Sequence, residues 1–209
     1  MSASWPLVSV IVPVLDEDAE LPRVRAHLEA LPGEWEVLVA EGPGRAARMN
    51  EAAHRARGDL LLFLHADSRL PAGAYESLVS AAARPAVVGG NFALRFDGED
   101  RFARVLTAVY AMQRRFGLYY GDSSVWVRRA VFEQLGGYRE LAIMDDYDFV
   151  RRLEAAGQTE CLPGPARTSD RRWRRMGAAR TVCLWLSIRW LYLLGVPPKR
   201  LARLYRRIR

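Results

Sequence analysis

Apolar positions in the first half of the chain follow two alternating rhythms. Short runs with few interruptions occur at Val8–Val14, Glu36–Ala40 and Leu60–Leu64. Between them, Ala19–Ala30, Arg45–Arg57 and Ala72–Ala83 place apolar residues at helical spacing. Pro32-Gly33 stops the first helix and Gly58 the second. Short apolar strands alternating with helices predict a parallel sheet covered on both faces. In the second half, Val87–Phe96 alternates apolar and polar residues, as a strand with one wet face does. Helical spacing returns at Arg101–Arg115, Arg129–Leu135 and Asp145–Ala156, with a short strand at Ser123–Val127. The pattern predicts one α/β domain whose mostly parallel sheet is extended by antiparallel strands, with helices at the C-terminus.

Thr181–Val196 is apolar and rich in Trp, Leu and Tyr, with Arg189 in its middle. It falls short of the ~20 apolar residues that span a bilayer, and a central arginine opposes spanning. Two readings stay open: a core helix, or an interfacial helix with Trp185, Trp190 and Tyr192 at headgroup level. Pro197-Pro198 separates it from a basic amphipathic helix, Lys199–Arg209.

With 209 residues, half of them apolar, the chain has material for one well-filled core. The net charge of +7 is unevenly spread: residues 164–209 carry +12 and residues 1–163 carry −5. A basic tail on a mildly acidic body implies an anionic partner or a solvated helix face. Cys161 and Cys183 stand far apart without a CxxC partner, which fits a reducing cytosol and neither a disulfide framework nor a zinc site. Met1–Pro6 lacks the basic start of a signal peptide. The expected location is cytoplasmic, with peripheral contact at the inner face of the membrane through the basic tail. No base-reading module accompanies that tail, so nucleic acid is not an expected partner.

In open parallel sheets, ligands bind at the C-terminal ends of strands. The polar residues there are Asp16-Glu17, Glu41 and His65-Ala66-Asp67. A carboxylate at a strand end suits Mg²⁺ or Mn²⁺, which one or two carboxylates and substrate phosphates hold together. Asp67 is the best candidate ligand and His65 a second; a turn acid before Pro71 and a packed histidine are the plainer readings. Asp145, Asp146 and Asp148 open a predicted helix. The helix dipole favours acids there, but three in four residues exceed what capping needs. Crowded carboxylates raise one another's pKa, and such a group takes a proton from a hydroxyl. In Arg171–Arg175 (RRWRR), the arginines suit a diphosphate and Trp173 a sugar or base; a solvated basic loop is the alternative.

These residues together resemble family-2 glycosyltransferases. Val8–Glu17 (VSVIVPVLDE) looks like the opening strand, and Gly58–Asp67 (GDLLLFLHAD) like the strand ending in the DxD-type motif. Arg128–Tyr138 (RRAVFEQLGGY) with Met144–Asp148 (MDDYD) resembles the acceptor segment that carries the base. Ser169–Trp173 (SDRRW) resembles the Arg-Trp motif that closes the site. The similarity is strongest to a short bacterial branch with Arg-Arg-Trp and Leu-Gly-Val-Pro (here Leu194–Pro197) near the C-terminus. It implies a GT-A (Rossmann-like) fold, a nucleotide-diphospho-sugar donor, Mn²⁺ or Mg²⁺, and inversion at the anomeric carbon. Carried over, Pro13 and Glu17 line the nucleotide pocket, Glu41 contacts the base, and Arg48 and Asn50 approach the donor. Ala66 and Asp67 belong to the metal motif, Asp146 is the general base with Asp145 beside it, and Arg172 and Trp173 close over the diphosphate. Four departures are visible. His65 replaces the first acid of the motif, and Glu41-Gly42-Pro43-Gly44 runs into Arg45 without the usual intervening helix and strand. Asp145 stands for the usual Glu of the base motif, and Gly121-Asp122-Ser123 has Ser where this branch often has Gln.

The expected division is a GT-A domain over residues 1–176, with 1–96 as the nucleotide-sugar half and 97–176 as the acceptor half. Residues 177–209 then form helices packed on the domain or at a membrane surface. The acceptor, whether lipid, glycan or small molecule, is not specified. Two other readings predict different products. A nucleotidyltransferase on a similar fold would release pyrophosphate, and a non-catalytic nucleotide-binding or membrane-surface module would bind without turnover.

Overall fold

The computed structural model describes residues 6–14 and 21–208, without the side chains of residues 172 and 206–208. Glu17, and with it the Asp16-Glu17 pair, lies outside the described residues. Six strands form one sheet: β1 (Val8–Pro13), β2 (Trp35–Ala40), β3 (Leu60–Phe63), β4 (Val87–Phe96), β5 (Val125–Arg128) and β6 (Gln158–Thr168). Their order is β2-β1-β3-β5-β4-β6. β1 pairs in parallel with β2 and β3, β5 runs antiparallel to both β3 and β4, and β6 is parallel to β4.

The apolar runs of β1 and β3 are buried on both faces, and the pleat sorts them into two cores. Val8, Val10, Val12, Leu60 and Leu62 pack with Val24 and Leu28 of α1 (Leu21–Glu29) and Tyr75 and Leu78 of α3 (Ala74–Ala82). Ile11, Leu61 and Phe63 face the other way. They meet Met49 of α2 (Arg45–Arg55), Phe132 of α5 (Arg129–Gln134) and Phe149 of α6 (Asp145–Ala156). Burial of this much apolar side chain, at about 25 cal/mol per Å², is the main force holding the sheet between its helices. Ser9 is a polar residue in this core, and it is satisfied. Its Oγ donates to Glu36 at 2.6 Å and accepts from the Gly58 N–H at 2.8 Å.

Strand β6 and the helix α7 (Arg171–Met176) are absent from the hydrophobic pattern. Pro163, Gly164 and Pro165 interrupt β6, which sits at the sheet edge, where a missing N–H is tolerated. The ladder to β4 shifts register there, between Phe92 and Leu94. Close approach to β6 also requires Gly90: a Cβ at this position would stand 1.9 Å from the Glu160 carbonyl oxygen.

Three more helices complete the second half. Helix α4 (Arg101–Arg114) packs on β4, capped by Asp100, whose carboxylate accepts from the Ala103 N–H at 2.8 Å. Helix α8 (Ala178–Leu193) packs its Leu184 and Ile188 with Tyr147 and with Leu201 of α9 (Pro198–Ile208). Its Trp185 joins the α4 cluster of Leu106 and Trp173. The core reading therefore holds for one face of the Trp-rich segment, with Trp185 and Tyr192 packed, while Leu186, Trp190 and Leu193 are exposed.

Candidate active site

A cleft of about 710 Å³ opens where the C-terminal ends of the parallel strands meet α4, α6, α7 and α8. Its lining is partly charged, with Arg45, His65, Asp67, Asp122, Asp145, Asp146, Arg171, Arg175 and Arg189. It is partly apolar, with Leu106, Val109, Val182, Trp185, Leu186 and Ile188.

Asp67 leaves β3 on a tight turn, closed by the Ser68 N–H donating to the His65 carbonyl at 3.0 Å. An antiparallel bridge between Arg69 and Arg167 and a Ser68–Thr168 hydroxyl contact pin this turn to β6. The Asp67 carboxylate accepts from Arg171 at 3.0 Å, a pair 104 residues apart in sequence. The loop after β3 and the Arg-Trp helix are thereby joined across the cleft.

Asp145 and Asp146 begin α6 after Met144, whose φ of +66° lies in the left-handed region. A non-glycine residue there costs on the order of 1–3 kcal/mol, and such strain gathers at functional sites. Asp145 is buried and pairs with Arg45 at 2.8 Å. Burial pushes its carboxyl above the usual carboxylate range, Arg45 pulls it down, and neighbouring Asp146 adds to the rise. Asp146 is less buried. One oxygen accepts from the Gly121 N–H at 3.0 Å and the other from the Tyr147 N–H at 2.8 Å. Asp148, the third acid, faces away and pairs with Arg139 and Arg152. Its role is to anchor α6. Tyr120 also lines the cleft, and burial pushes its hydroxyl up to about 12, so it stays a donor at neutral pH.

The structure redistributes several expected roles. Arg45, the first residue of α2, enters the cleft, where it bridges Asp145 and the His65 Nε2, 3.0 Å away. A guanidinium only donates, so that nitrogen of His65 accepts and faces a cation. In this structure His65 is thus a partner of Arg45. Arg48 and Asn50, expected at the donor, are not among the residues that line the cleft. Arg48 turns to the Gly42 carbonyl. Asn50 clips the Tyr138 backbone with two bonds of 2.8 Å, one donated and one accepted. The reason is axial: Arg45 is the first residue of α2, while Arg48 and Asn50 lie about 4.5 and 7.5 Å further along the helix, away from the sheet edge. Asn50→Ala should cost about 1.5 kcal/mol by leaving the Tyr138 groups unpaired, read as a lower Tm without a change in kcat. Pro13, Glu41 and Ala66 end or follow β1, β2 and β3, but none lines the cleft; Glu41 is exposed. The Arg172 side chain is outside the described ones. Of the described arginines of this basic run, Arg171 and Arg175, one turn apart on α7, line the cleft. Trp173 is buried against Phe96 and Phe102, yet lines the cleft with its Nε1 unpartnered among the described residues.

Among the described residues, no three His, Cys, Asp or Glu side chains are grouped to hold a metal ion. A hard divalent cation at Asp67 fits as a site with one protein carboxylate, completed by oxygens of a substrate phosphate.

Residues 27–136 match the family described as Glycosyl transferase family 2. The chain belongs to this family. The match favours glycosyl transfer over the nucleotidyltransferase reading. Among solved structures, a mannosyltransferase from Pyrobaculum calidifontis, PcManGT, in complex with GDP-Man and Mn²⁺, is similar in fold. It has a TM-score of 0.60 and 18% identity over 90% of this chain and 65% of its own. TarS from S. aureus, residues 1–349 in complex with UDP-GlcNAc, matches with a TM-score of 0.60 and 13% identity, over 78% of this chain and 58% of its own. The chain therefore spans less than two thirds of either structure. No curated protein matches it. The family and these neighbours bear out the GT-A α/β architecture, a six-stranded mixed sheet with helices.

Proposed function

We propose that the protein transfers a sugar, with inversion, from a nucleotide-diphospho-sugar to an acceptor hydroxyl at the cleft around Asp67 and Asp146. The observation that carries the reading is the convergence of Asp67, Arg171, Arg45 and Asp146 on one cleft from four distant stretches of sequence. Asp146 takes the acceptor proton; the freed oxygen attacks the anomeric carbon; the bond to the diphosphate breaks with its electron pair. Arg171 and Arg175 hold the departing diphosphate, since guanidinium groups meet phosphate oxygens in bidentate pairs. Asp67 would hold Mn²⁺ or Mg²⁺ against the same oxygens, and a bound cation there supplies charge neutralisation of the leaving group. Arg45 and Asp145 keep the start of α6, and with it Asp146, in place. GDP-Man and UDP-GlcNAc in the similar structures, and Mn²⁺ in one of them, support a nucleotide-sugar donor and a divalent ion. In this reading residues 1–96 form the donor half and 97–176 the acceptor half, with α8 of the C-terminal region walling the acceptor side.

Thermal shift with UDP-, GDP- and dTDP-sugars, with and without Mn²⁺, tests donor and metal together. Saturation at about 100-fold over Kd adds roughly 2.7 kcal/mol, or about 5–10 °C in a chain of this size. One nucleotide class should stabilise the protein in an Mn²⁺-dependent way, and Asp67→Asn should remove the Mn²⁺ dependence. No shift with any sugar nucleotide, with or without metal, would sink the reading.

A further inference from the structure

Every exposed large apolar side chain among the described residues belongs to α4, α8, α9 or the residues just after them. Val105, Val109, Met112 and Phe116 recur at steps of four, three and four along α4 and past its end, one stripe of a helix. Leu186, Trp190, Leu193 and Leu194 make a second stripe on α8, and Leu204 lies on α9. Phe116 is 71% exposed and Trp190 63%. Monomeric proteins rarely leave such stripes open to water unless they meet a partner.

The helices that carry the stripes have charges of one sign. Residues 101–116 contain four arginines and no acid; residues 178–208 contain seven Lys or Arg and no acid. Arg101, Arg104 and Arg115 on one side, and Lys199, Arg200 and Arg203 on the other, are exposed. The patch also borders the cleft. Val109 and Leu186 belong to the stripes and line the same opening as Asp146, while Trp185 packs α8 against α4.

We infer that this face of α4, α8 and α9 seats on an anionic phospholipid surface, with the mouth of the cleft turned toward the bilayer. Apolar stripes rimmed by cations match the acyl boundary and the negative headgroups together. None of the described helices is long and apolar enough to cross a membrane, so the contact is interfacial. A second copy of the chain fits worse, because a two-fold interface would set this basic rim against itself. The acceptor consequence rests on the proposed transfer reading: an acceptor entering between Val109 and Leu186 reaches Asp146 from the headgroup layer, so it is an amphiphile carrying a hydroxyl.

The full chain is incubated with vesicles of phosphatidylcholine, with and without phosphatidylglycerol, and bound protein is separated by flotation. The assay reads docking alone, so its result is independent of the transfer reading. Binding should be at least ~10-fold tighter with phosphatidylglycerol and fall as salt is raised, because basic residues near the surface are drawn to anionic headgroups. Trp190→Asp and Phe116→Asp should each weaken it by about 10- to 100-fold, the loss expected for one buried aromatic side chain, with circular dichroism and Tm unchanged. Phosphatidylglycerol vesicles that bind no protein, or that bind both variants as well as the wild type, overturn the inference. So does a dimer in sedimentation equilibrium that the same substitutions dissolve while vesicle binding is absent.

Discussion

Asp146→Asn is expected to lower kcat by about 10²–10⁴-fold, the usual contribution of a general base. Asparagine keeps one oxygen for the Gly121 N–H, which Asp146 now satisfies at 3.0 Å, and gives up the bond from the Tyr147 N–H at 2.8 Å. The lost bond costs about 1 kcal/mol of stability, and the lost capacity to take a proton accounts for the fall in rate, so Tm should drop slightly and KM should move little. Asp145→Asn is the control. Asp145 is buried and held by Arg45, so its substitution should change stability more than the rate of the chemical step. Transfer by Asp146→Asn at the wild-type rate would assign the base elsewhere.

Arg45→Met should destabilise the protein by about 2–3 kcal/mol. Removing one partner of a fully buried pair costs ~3–5 kcal/mol, and the Arg45 side chain is still 28% exposed, which screens part of that. In a chain of this size the loss is roughly 4–12 °C in Tm. The effect has a pH signature. Burial already holds the Asp145 carboxyl above its ordinary 3.8, against the pull of Arg45. A carboxyl raised in the folded state binds its proton more tightly there than in the unfolded chain. Stability from it is therefore present at low pH and lost as pH rises through the folded pKa. Without Arg45 that pKa rises further. The gap in Tm between wild type and variant should be small near pH 4 and widen toward neutrality. A gap that stays constant over this range would refute the assignment. The double variant Arg45→Met with Asp145→Asn should recover much of the loss, since no unpaired charge stays buried.

Asp67, Asp145 and Asp146 were legible in the sequence, and the structure shows them on one cleft. They were legible because a carboxylate ending a buried strand, or crowding a helix start, is conspicuous against its neighbours. Arg45 was not, although it directly follows Gly42-Pro43-Gly44 and opens α2. One arginine among Arg45, Arg48 and Arg55 carries no mark of which points inward until the helix is placed on the sheet. Arg171 was in view as part of a basic run, but its pairing with Asp67 spans 104 residues and has no local signature. Strand β6 was hidden by its prolines, because its edge position, not its own propensity, makes it a strand.

Local periodicity alone determined the α/β class, the order of most elements and the two-sided burial of β1 and β3. Period-2 and period-3.6 burial is written residue by residue, and the hydrophobic effect reads it without reference to distant parts of the chain. Tertiary structure decided which arginines meet which carboxylates, that α4 and α8 wall one cleft, and that their apolar stripes share its rim. Those facts depend on the packing angles of helices on a twisted sheet, which bring together residues a hundred positions apart.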